Sequence, residues 1–210
     1  MLTTAKRLKN PSNDSERLFD NQFLERLTRT RTAVPIILFF TISGILLYWG
    51  YTREVMSVIT LIETFLIGWL TFSLMEYIVH RYVFHMMTNT SRRVEIQYKI
   101  HGIHHDYPKD KERLAMPPVL SLTISIILFF TFRALMGGAA FGFLPGFLIG
   151  YALYLYVHYA IHAYQPPENF LKILWVNHGI HHYKDHDRAF GVSTPLWDYI
   201  FGTMPKRKQS

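Results

Sequence analysis

The chain has 210 residues, of which 50% are apolar, 16% are aromatic and 18% are charged, and its formal net charge is +7. This length suits one domain or one membrane bundle, and the composition excludes a disordered or collagen-like chain. The sequence has no cysteine, so its own residues cannot form a disulfide, a zinc ribbon, a haem–thiolate bond or an iron–sulfur cluster. It has 11 histidines, a high number for a residue that is normally rare.

Four apolar stretches are each long enough to cross a hydrocarbon core of roughly 30 Å as a helix. They are Ala33–Gly50, Val55–Met75, Leu114–Phe132 and Ala134–Val157, and they contain a single charged residue, Glu63. A chain of 210 residues cannot hide four such helices from water in a soluble core. The sequence therefore predicts an integral membrane protein.

The loops between the apolar stretches indicate how the helices pair. Residues 50–54 and 133–138 form short turns, so we expect two antiparallel hairpins and an all-α, four-helix bundle. Pro117 and Pro118 suit the first turn of the third helix, where missing N–H groups do no harm. Pro145 predicts either a kink in the fourth helix or the point where that helix begins.

The positive charges predict the orientation of the bundle. All of the 22 Lys and Arg residues except Arg53 and Arg133 lie before the first helix, between the second and third, or after the fourth. The positive-inside rule then places both termini and the middle segment in the cytoplasm. We predict a cytoplasmic N-terminal segment (1–32), a membrane domain (33–203) and a basic C-terminal tail (204–210). A nucleic-acid surface is not expected, because the aromatic residues lie in the apolar stretches.

Ten of the 11 histidines fall into four clusters that follow the second and fourth apolar stretches. The clusters are His80 and His85; His101, His104 and His105; His158 and His162; and His178, His181 and His182. The topology brings all four clusters to one membrane face, in a predicted cytoplasmic helical cap. Ten imidazoles are too many for one metal ion and fit about five around each of two. Imidazole sites suit iron, zinc, copper or nickel and exclude magnesium and calcium.

The spacing within the clusters predicts which imidazoles share a helix face. Positions i, i+3 and i+4 lie on one face, so each His-x-x-His-His can present its imidazoles together, as can His158 with His162. His80 and His85 lie about 140° apart on an ideal helix. They therefore straddle the axis, bind different metals or follow a local break in the helix.

Three further polar residues have two interpretations each. Glu76 lies one helical turn before His80 and could accept the second N–H of a metal-bound histidine or make a structural contact. His186 lies outside the four clusters, and we expect it not to be a ligand. Glu63 could line a substrate path or make a hydrogen bond between helices.

Five strings of the sequence resemble the fatty acid hydroxylase superfamily, and most closely its fatty acid 2-hydroxylase branch. They are Glu76–His85, His101–Pro118, His158–His162, Asn177–His182 and Phe190–Thr203. The resemblance implies a membrane-embedded dimetal oxygenase whose ligands are the ten clustered histidines. It further implies two iron ions in the working enzyme, with zinc possible in purified protein, and O2 as co-substrate.

The chain departs from the family pattern in three places. Leu155 stands where the family often has Asp, and Ala163 stands where it often has a further His. Eukaryotic members often carry a fused cytochrome b5 domain, which the 32 residues before the first helix cannot hold. We therefore expect a separate electron donor, a ferredoxin or cytochrome b5-like protein with its reductase.

These observations predict a monooxygenase that inserts one oxygen atom at C2 of a fatty acid or of the acyl chain of a lipid. The acyl tail would enter from the bilayer between the helices. Tyr151, Tyr154 and Tyr156 could line its path or serve only for packing. A carotenoid or sterol hydroxylase or desaturase with the same site is one alternative. A metal transporter or metal-binding membrane protein is another, although transporters place their ligands near the membrane midplane.

Overall fold

The computed structural model describes residues 15–206. The predicted N-terminal segment is described from Ser15 onward and the predicted C-terminal tail as far as Lys206. Positions 1–14 and 207–210, and the basic residues counted there, lie outside the described residues. Between Ser15 and Lys206 the chain forms helices and no strand, which confirms the all-α class.

Nine α-helices lie within residues 15–206. They are α1 (Gln22–Arg26), α2 (Ala33–Thr52), α3 (Val58–Val79), α4 (Ser91–Gln97), α5 (Ile103–Asp106), α6 (Pro118–Met136), α7 (Ala140–Ala163), α8 (Lys172–Tyr183) and α9 (Leu196–Ile200). Two π-helical turns, His80–Phe84 and Tyr98–Gly102, extend α3 and α4. A 3₁₀ turn, Gly137–Ala139, joins α6 to α7.

Three stretches of the described chain are long and apolar enough to cross a membrane: Ala33–Thr52, Val58–Phe84 and Lys111–Ala163. The third stretch contains both α6 and α7, which the sequence predicted as separate spans. The turn predicted at residues 133–138 begins later than expected, because α6 continues to Met136 and the 3₁₀ turn Gly137–Ala139 follows it. The backbone at Gly137 ends α6 with φ of 60°, a conformation that glycine adopts without steric cost.

The start of α6 confirms one of the proline predictions. Pro118 is the first residue of α6, and its missing N–H would have no partner within the helix at that position. Pro145 is buried inside α7, five residues after the helix begins at Ala140. Pro145 therefore does not mark the beginning of that helix.

The helix α7 is the centre of the bundle, and α3 and α2 pack most extensively against it. The predicted hairpin partners, α2 with α3 and α6 with α7, also touch but over smaller areas. Close contact with α3 depends on glycines: a Cβ atom on Gly146 would lie 1.9 Å from the Phe65 carbonyl oxygen. A Cβ atom on Gly68 would lie 2.0 Å from the Phe143 carbonyl oxygen. Small residues let the two backbones approach, as is common between membrane helices.

The outer faces of the long helices are strongly apolar. Ile37 on α2, Ile59 on α3 and Leu135 on α6 are 65%, 69% and 76% exposed. A soluble protein rarely leaves so many large apolar side chains in contact with water. Together with the length of the helices, this surface indicates a membrane protein.

Residues 15–31, which we call the N-terminal strap, are fastened to the loop before α6 by a buried cluster of charges. Arg113 donates to Glu25 and to the Ser15 hydroxyl, and Arg29 donates to Asp110 at 3.3 Å. Burial by itself raises the pKa of Asp110, but hydrogen bonds from Ser15 and the charge of Arg29 bring it below its usual range. The cluster therefore holds the strap most firmly when its carboxylates are ionised.

Candidate metal centre

The histidines of the four clusters come together in two groups at one end of the bundle. Within each group, one nitrogen from every member lies within 4.8 Å of the others. Group one is His80, His85, His101, His105 and His181; group two is His104, His158, His162, His178 and His182. The ten predicted histidines thus form two sets of five.

A π-helical turn explains how His80 and His85 enter the same group. On a regular α-helix these two residues would point in different directions. The chain instead forms the π-helical turn His80–Phe84, and the His85 N–H donates to the His80 carbonyl at 3.1 Å. The wider turn brings residues five apart onto one face. Of the three outcomes expected for this pair, the local break is the one observed.

Each His-x-x-His-His motif divides between the two groups. His101 and His105 belong to group one, while His104 between them belongs to group two. In the second motif His178 and His182 belong to group two and His181 to group one. The prediction that each motif presents its imidazoles together is therefore wrong at the level of the groups. The division places the groups side by side, with the ring centroids of His105 and His182 4.2 Å apart.

The distances between nitrogens fit a metal ion at the centre of each group. In group one, His101 Nε2 lies 3.1 Å from His80 Nε2 and 3.0 Å from His105 Nε2. In group two, His158 Nε2 lies 2.9 Å from His104 Nε2. Metal–nitrogen bonds of about 2.0–2.1 Å at right angles place two ligand nitrogens about 2.9 Å apart. These nitrogen pairs are therefore close enough to share a metal ion.

Burial keeps these imidazoles neutral. Burial, together with the repulsion that a second protonated imidazole nearby would add, lowers the pKa of His85 to about 4 and that of His181 to about 3. Burial and the neighbouring histidines hold the pKa of His104 and that of His178 well below the usual range. Neutral imidazole is the form that binds a metal ion.

Several ring nitrogens of the two groups are buried without a hydrogen-bond partner among the described residues. They are His85 Nε2, His104 Nδ1, His158 Nδ1, His178 Nδ1, His181 Nε2 and both nitrogens of His182. A buried nitrogen without a partner costs free energy, so such groups are rare in folded proteins. A metal ion would satisfy those nitrogens that point to the centre of each group.

Glu76 contacts the backbone of a distant loop and not a histidine. Its carboxylate accepts hydrogen bonds from the N–H groups of Val192 at 2.7 Å and Ser193 at 2.8 Å, and from the Ser193 hydroxyl. The Nδ1 atom of His80 lies instead 2.6 Å from the carbonyl oxygen of Phe190. The direct contact considered for Glu76 and His80 is therefore not formed.

The sequence reasoning missed Asp198, which lies on α9, the short helix that follows this loop. Its side chain is fully buried and accepts hydrogen bonds from the N–H groups of Phe190 and Gly191, at 2.9 and 2.7 Å. An acidic residue in the otherwise apolar segment Leu196–Ile200 was the signal that could have indicated it.

The remaining polar residues lie outside both groups. His186 is exposed, and its ring centroid lies 5.1 Å from that of His105. Its nitrogens join neither group. Glu63 is exposed on α3 and does not line the cavity that reaches the histidines, which is described below. Its position does not favour a substrate path.

A cavity of about 750 Å³ reaches from the histidines into the apolar bundle. His80 and His101 of group one and His104 and His158 of group two all contribute to its wall. Phe147 also lines it, 11 residues before His158 on α7, and so lies about 16 Å away along the helix axis. The cavity is therefore deep, and both histidine groups face it.

Apolar side chains dominate the rest of the cavity wall. They come from the N-terminal strap, α2, α3, α6, α7 and the segment before α6, and include Leu18, Phe19, Leu27, Phe39, Phe72, Met75, Val79, Met116, Leu120, Ile124, Leu128 and Leu148. Of the two alternatives for the tyrosines, Tyr151 and Tyr154 line the cavity, and the Tyr154 ring stacks on His158 with centroids 5.4 Å apart. Tyr156 is 61% exposed and does not line it.

The fold and the site define the chain as an all-helical membrane protein with a centre of ten histidines that could bind metal. A sequence model of the fatty acid hydroxylase family matches residues 65–203. The chain therefore belongs to the fatty acid hydroxylase family, a family of oxidoreductase enzymes. The family match confirms the resemblance seen in the histidine strings, and it does not favour the transporter alternative.

Individual relatives support this assignment. The dihydroceramide fatty acyl 2-hydroxylase FAH2 of Arabidopsis thaliana is 35% identical over 194 residues, which cover 91% of this chain and 81% of that protein. The fatty acid 2-hydroxylase of Rattus norvegicus is 32% identical over 209 residues, and the match spans 56% of its length. The solved structure of Scs7p, in which only the hydroxylase domain is visible, superposes with a TM-score of 0.79 at 30% identity. It covers 88% of this chain and 70% of that one.

Proposed function

We propose that this protein is a dimetal monooxygenase that hydroxylates the acyl chain of a fatty acid or lipid at C2. Each histidine group would hold one metal ion, iron in the working enzyme, with zinc able to replace it in purified protein. O2 is the co-substrate, and the electrons come from a separate donor. The observation that carries this proposal is the deep apolar cavity whose wall includes histidines of both groups.

The ten histidines would serve as the metal ligands. Their convergent nitrogens, the burial of seven of the ten and their neutral state support this role. When bound, the two metal ions supply redox centres that share the electrons needed to activate O2. Imidazole ligands are compatible with iron, whereas calcium and magnesium prefer oxygen ligands.

The cavity would hold the acyl chain. An acyl chain in this cavity would be shielded from water by aliphatic and aromatic side chains such as Phe72, Leu120 and Leu148. Phe147 lies deep in the bundle, so the methyl end would point there and the carboxyl end toward the histidines. This direction leaves a carbon close to the carboxyl end beside the proposed metal ions.

The printed names of relatives indicate the substrate class. The Arabidopsis relative is a dihydroceramide fatty acyl 2-hydroxylase, and a relative in Schizosaccharomyces pombe is a ceramide very long chain fatty acid hydroxylase. We infer that the acyl chain of a ceramide-type lipid is the substrate here. Such a molecule would keep its polar head at the end of the bundle where the histidines lie.

We also propose that α2, α3, α6 and α7 span the membrane as a four-helix bundle, with residues 33–203 forming the hydroxylase domain. The termini and the metal centre would face the cytoplasm, because the Lys and Arg residues are concentrated at that end. An electron donor such as a ferredoxin or a cytochrome b5-like protein, with its reductase, would dock on this basic surface.

Expression in cells that lack an acyl 2-hydroxylase tests the function. Lipid mass spectrometry should find acyl chains with one added oxygen atom, and fragmentation should place the hydroxyl group at C2. The His104→Ala variant, expressed to the same level, should leave the lipids unchanged. Hydroxylated sterols or carotenoids with unmodified acyl chains would contradict the proposal and favour the alternative substrates.

A further inference from the structure

A single turn of the chain contacts two histidines of group one. The Nδ1 atom of His181 lies 2.9 Å from the Arg188 carbonyl oxygen, and that of His80 lies 2.6 Å from the Phe190 carbonyl oxygen. A carbonyl oxygen can only accept a hydrogen bond, so both Nδ1 atoms carry the proton. Each Nε2 atom then keeps its lone pair, which is directed to the centre of group one.

The backbone of this turn is strained. Ala189, between the two carbonyl groups, has φ of 57° and is fully buried. A residue with a Cβ atom is uncommon in this left-handed region and remains there only when its surroundings hold it. Contacts elsewhere in the loop must therefore stabilise the turn.

Asp198 provides these contacts. Its carboxylate accepts hydrogen bonds from the N–H groups of Phe190 at 2.9 Å and Gly191 at 2.7 Å, and from the Thr203 hydroxyl at 2.7 Å. The Ala189 N–H donates to the Thr203 carbonyl oxygen at 2.9 Å. A Cβ atom on Gly191 would lie 2.9 Å from the Asp198 carboxylate, so the backbone approaches Asp198 very closely. Asp198 thus fixes both peptide groups that flank Phe190, and one of them carries the Phe190 carbonyl.

Group two has no equivalent support among the residues that the structure describes. The Nδ1 atoms of His104, His158, His178 and His182 are buried there without a hydrogen-bond partner. The tautomers of two histidines in group one are therefore fixed by the loop, whereas these four are not. The two groups differ in how firmly their imidazoles are oriented.

We propose that Asp198 is a positioning residue for group one: it holds the Arg188–Phe190 turn, whose carbonyl groups orient His80 and His181 toward a metal ion. This inference rests on the proposed two-metal centre. Replacement of a residue that orients a metal ligand typically lowers metal affinity by about 10- to 100-fold. Loss of the Asp198 contacts therefore lowers the affinity of group one for its metal ion and leaves the affinity of group two unchanged.

A chelator titration of purified, zinc-loaded protein tests the proposal, with elemental analysis of the retained zinc. The wild-type protein should bind two ions per chain. Asp198→Asn should release one ion at about 10-fold lower chelator concentration than the wild-type protein and the other at the wild-type concentration. The His162→Ala substitution lowers the metal affinity of group two. When Asp198→Asn is added to it, the affinity of group one should fall as well, so that both ions are released at low chelator concentration.

Asp110→Asn is the matched control. Asp110 is also a buried carboxylate. It accepts hydrogen bonds from the backbone N–H groups of Ser15 and Glu112 and from the Ser15 hydroxyl, but from no histidine. This variant should be destabilised yet release both ions at the wild-type concentration. If Asp198→Asn cannot be purified, Thr203→Val removes one of the Asp198 contacts and should give a smaller shift of the same ion.

Each outcome has a distinct meaning. The positioning role would be overturned if Asp198→Asn released both ions at the wild-type chelator concentration. It would also be overturned if Asp110→Asn released one ion selectively. Fewer than two ions in the wild-type protein would instead contradict the proposed two-metal centre itself. The selective loss of one ion in Asp198→Asn alone would support the assignment.

Discussion

The Nε2 atom of His104 lies 2.9 Å from the Nε2 atom of His158, although 54 residues separate them in the chain. Both atoms point to the centre of group two, so His104→Ala should remove one of five nitrogens from that centre. We expect metal affinity or activity to fall by at least about 10-fold, as is typical when a residue at a metal centre is replaced. Elemental analysis and lipid hydroxylation assays measure the two effects.

His186→Ala is the control for this substitution. His186 is exposed and belongs to neither group, so its removal should cost much less. Equal losses in the two variants would show that the ligand assignment is wrong.

Replacement of Ser125 by Phe should shorten the acyl chains that the protein accepts. Ser125 is 3% exposed and lines the cavity, so an added ring would fill space proposed for the acyl tail. Overpacking of about 1–3 kcal/mol corresponds to a loss of roughly 5- to 150-fold in kcat/KM for long substrates. Assays with a series of acyl chain lengths should show this loss for long chains and little change for short ones.

Thr123→Phe, on the exposed side of the same helix, is the matched control. It adds the same ring outside the cavity and should leave the preference for chain length unchanged. A shift in both variants would mean that a general effect on α6 is responsible.

The orientation predicts which positions react with a membrane-impermeant thiol reagent. A single introduced cysteine provides a unique labelling site because the sequence contains no cysteine. Arg53→Cys and Arg133→Cys should be labelled from outside intact cells, and Lys109→Cys only after the membrane is opened. All three side chains are exposed, so a lack of labelling cannot be assigned to burial. If only the cysteine at position 109 were labelled from the outside, the predicted orientation would be wrong and the opposite one would hold.

Turnover should require a separate electron donor. Purified, metal-loaded protein given lipid, O2 and NAD(P)H should be inactive, and a reductase with a small acidic carrier should restore turnover. The exposed residues Arg92 and Arg93 lie at the histidine-bearing end of the chain, so their replacement by Glu should raise the KM for the carrier. The effect should weaken as the salt concentration rises.

Arg53→Glu, a charge reversal at the opposite end of the bundle, should leave the KM for the carrier unchanged. Sustained turnover with NAD(P)H alone would refute the need for a donor.

The N-terminal strap should loosen at low pH. The pKa of Asp110 is below its ordinary value of 3.8, despite burial, because Ser15 and Arg29 stabilise the charged form. A carboxylate with a lowered folded-state pKa contributes stability above its unfolded pKa, and the contribution is lost as the pH falls through the folded value. Hydrogen exchange of residues 15–31 should therefore increase below about pH 4.

Asp110→Asn should remove much of this pH dependence, because the group no longer ionises. The strap of that variant should already exchange faster at neutral pH. An unchanged exchange rate in the variant would show that Asp110 does not fasten the strap.

The sequence by itself was enough to predict the all-α class, the apolar helices and the ten histidines that gather at one end. These features depend on local properties: the length of an apolar run, the pairing of helices across short turns and the spacing of residues along a helix. The ends of the helices were predicted less well. The helix α6, for example, ends at Met136, four residues beyond the predicted limit of Phe132, a shift that hydropathy does not detect.

Only the tertiary structure decided how the histidines divide and what orients them. The π-helical turn at His80 places His85 in group one, although an ideal helix would separate them. The oxygen that faces His80 Nδ1 belongs to Phe190, 110 residues later, and Glu76 bonds to Ser193 instead of the nearby histidine. Such contacts join a side chain to a backbone atom that is distant in the chain, and backbone atoms are the same at nearly every residue. Their partners are therefore set by the packing of the helices and not by a pattern of side chains.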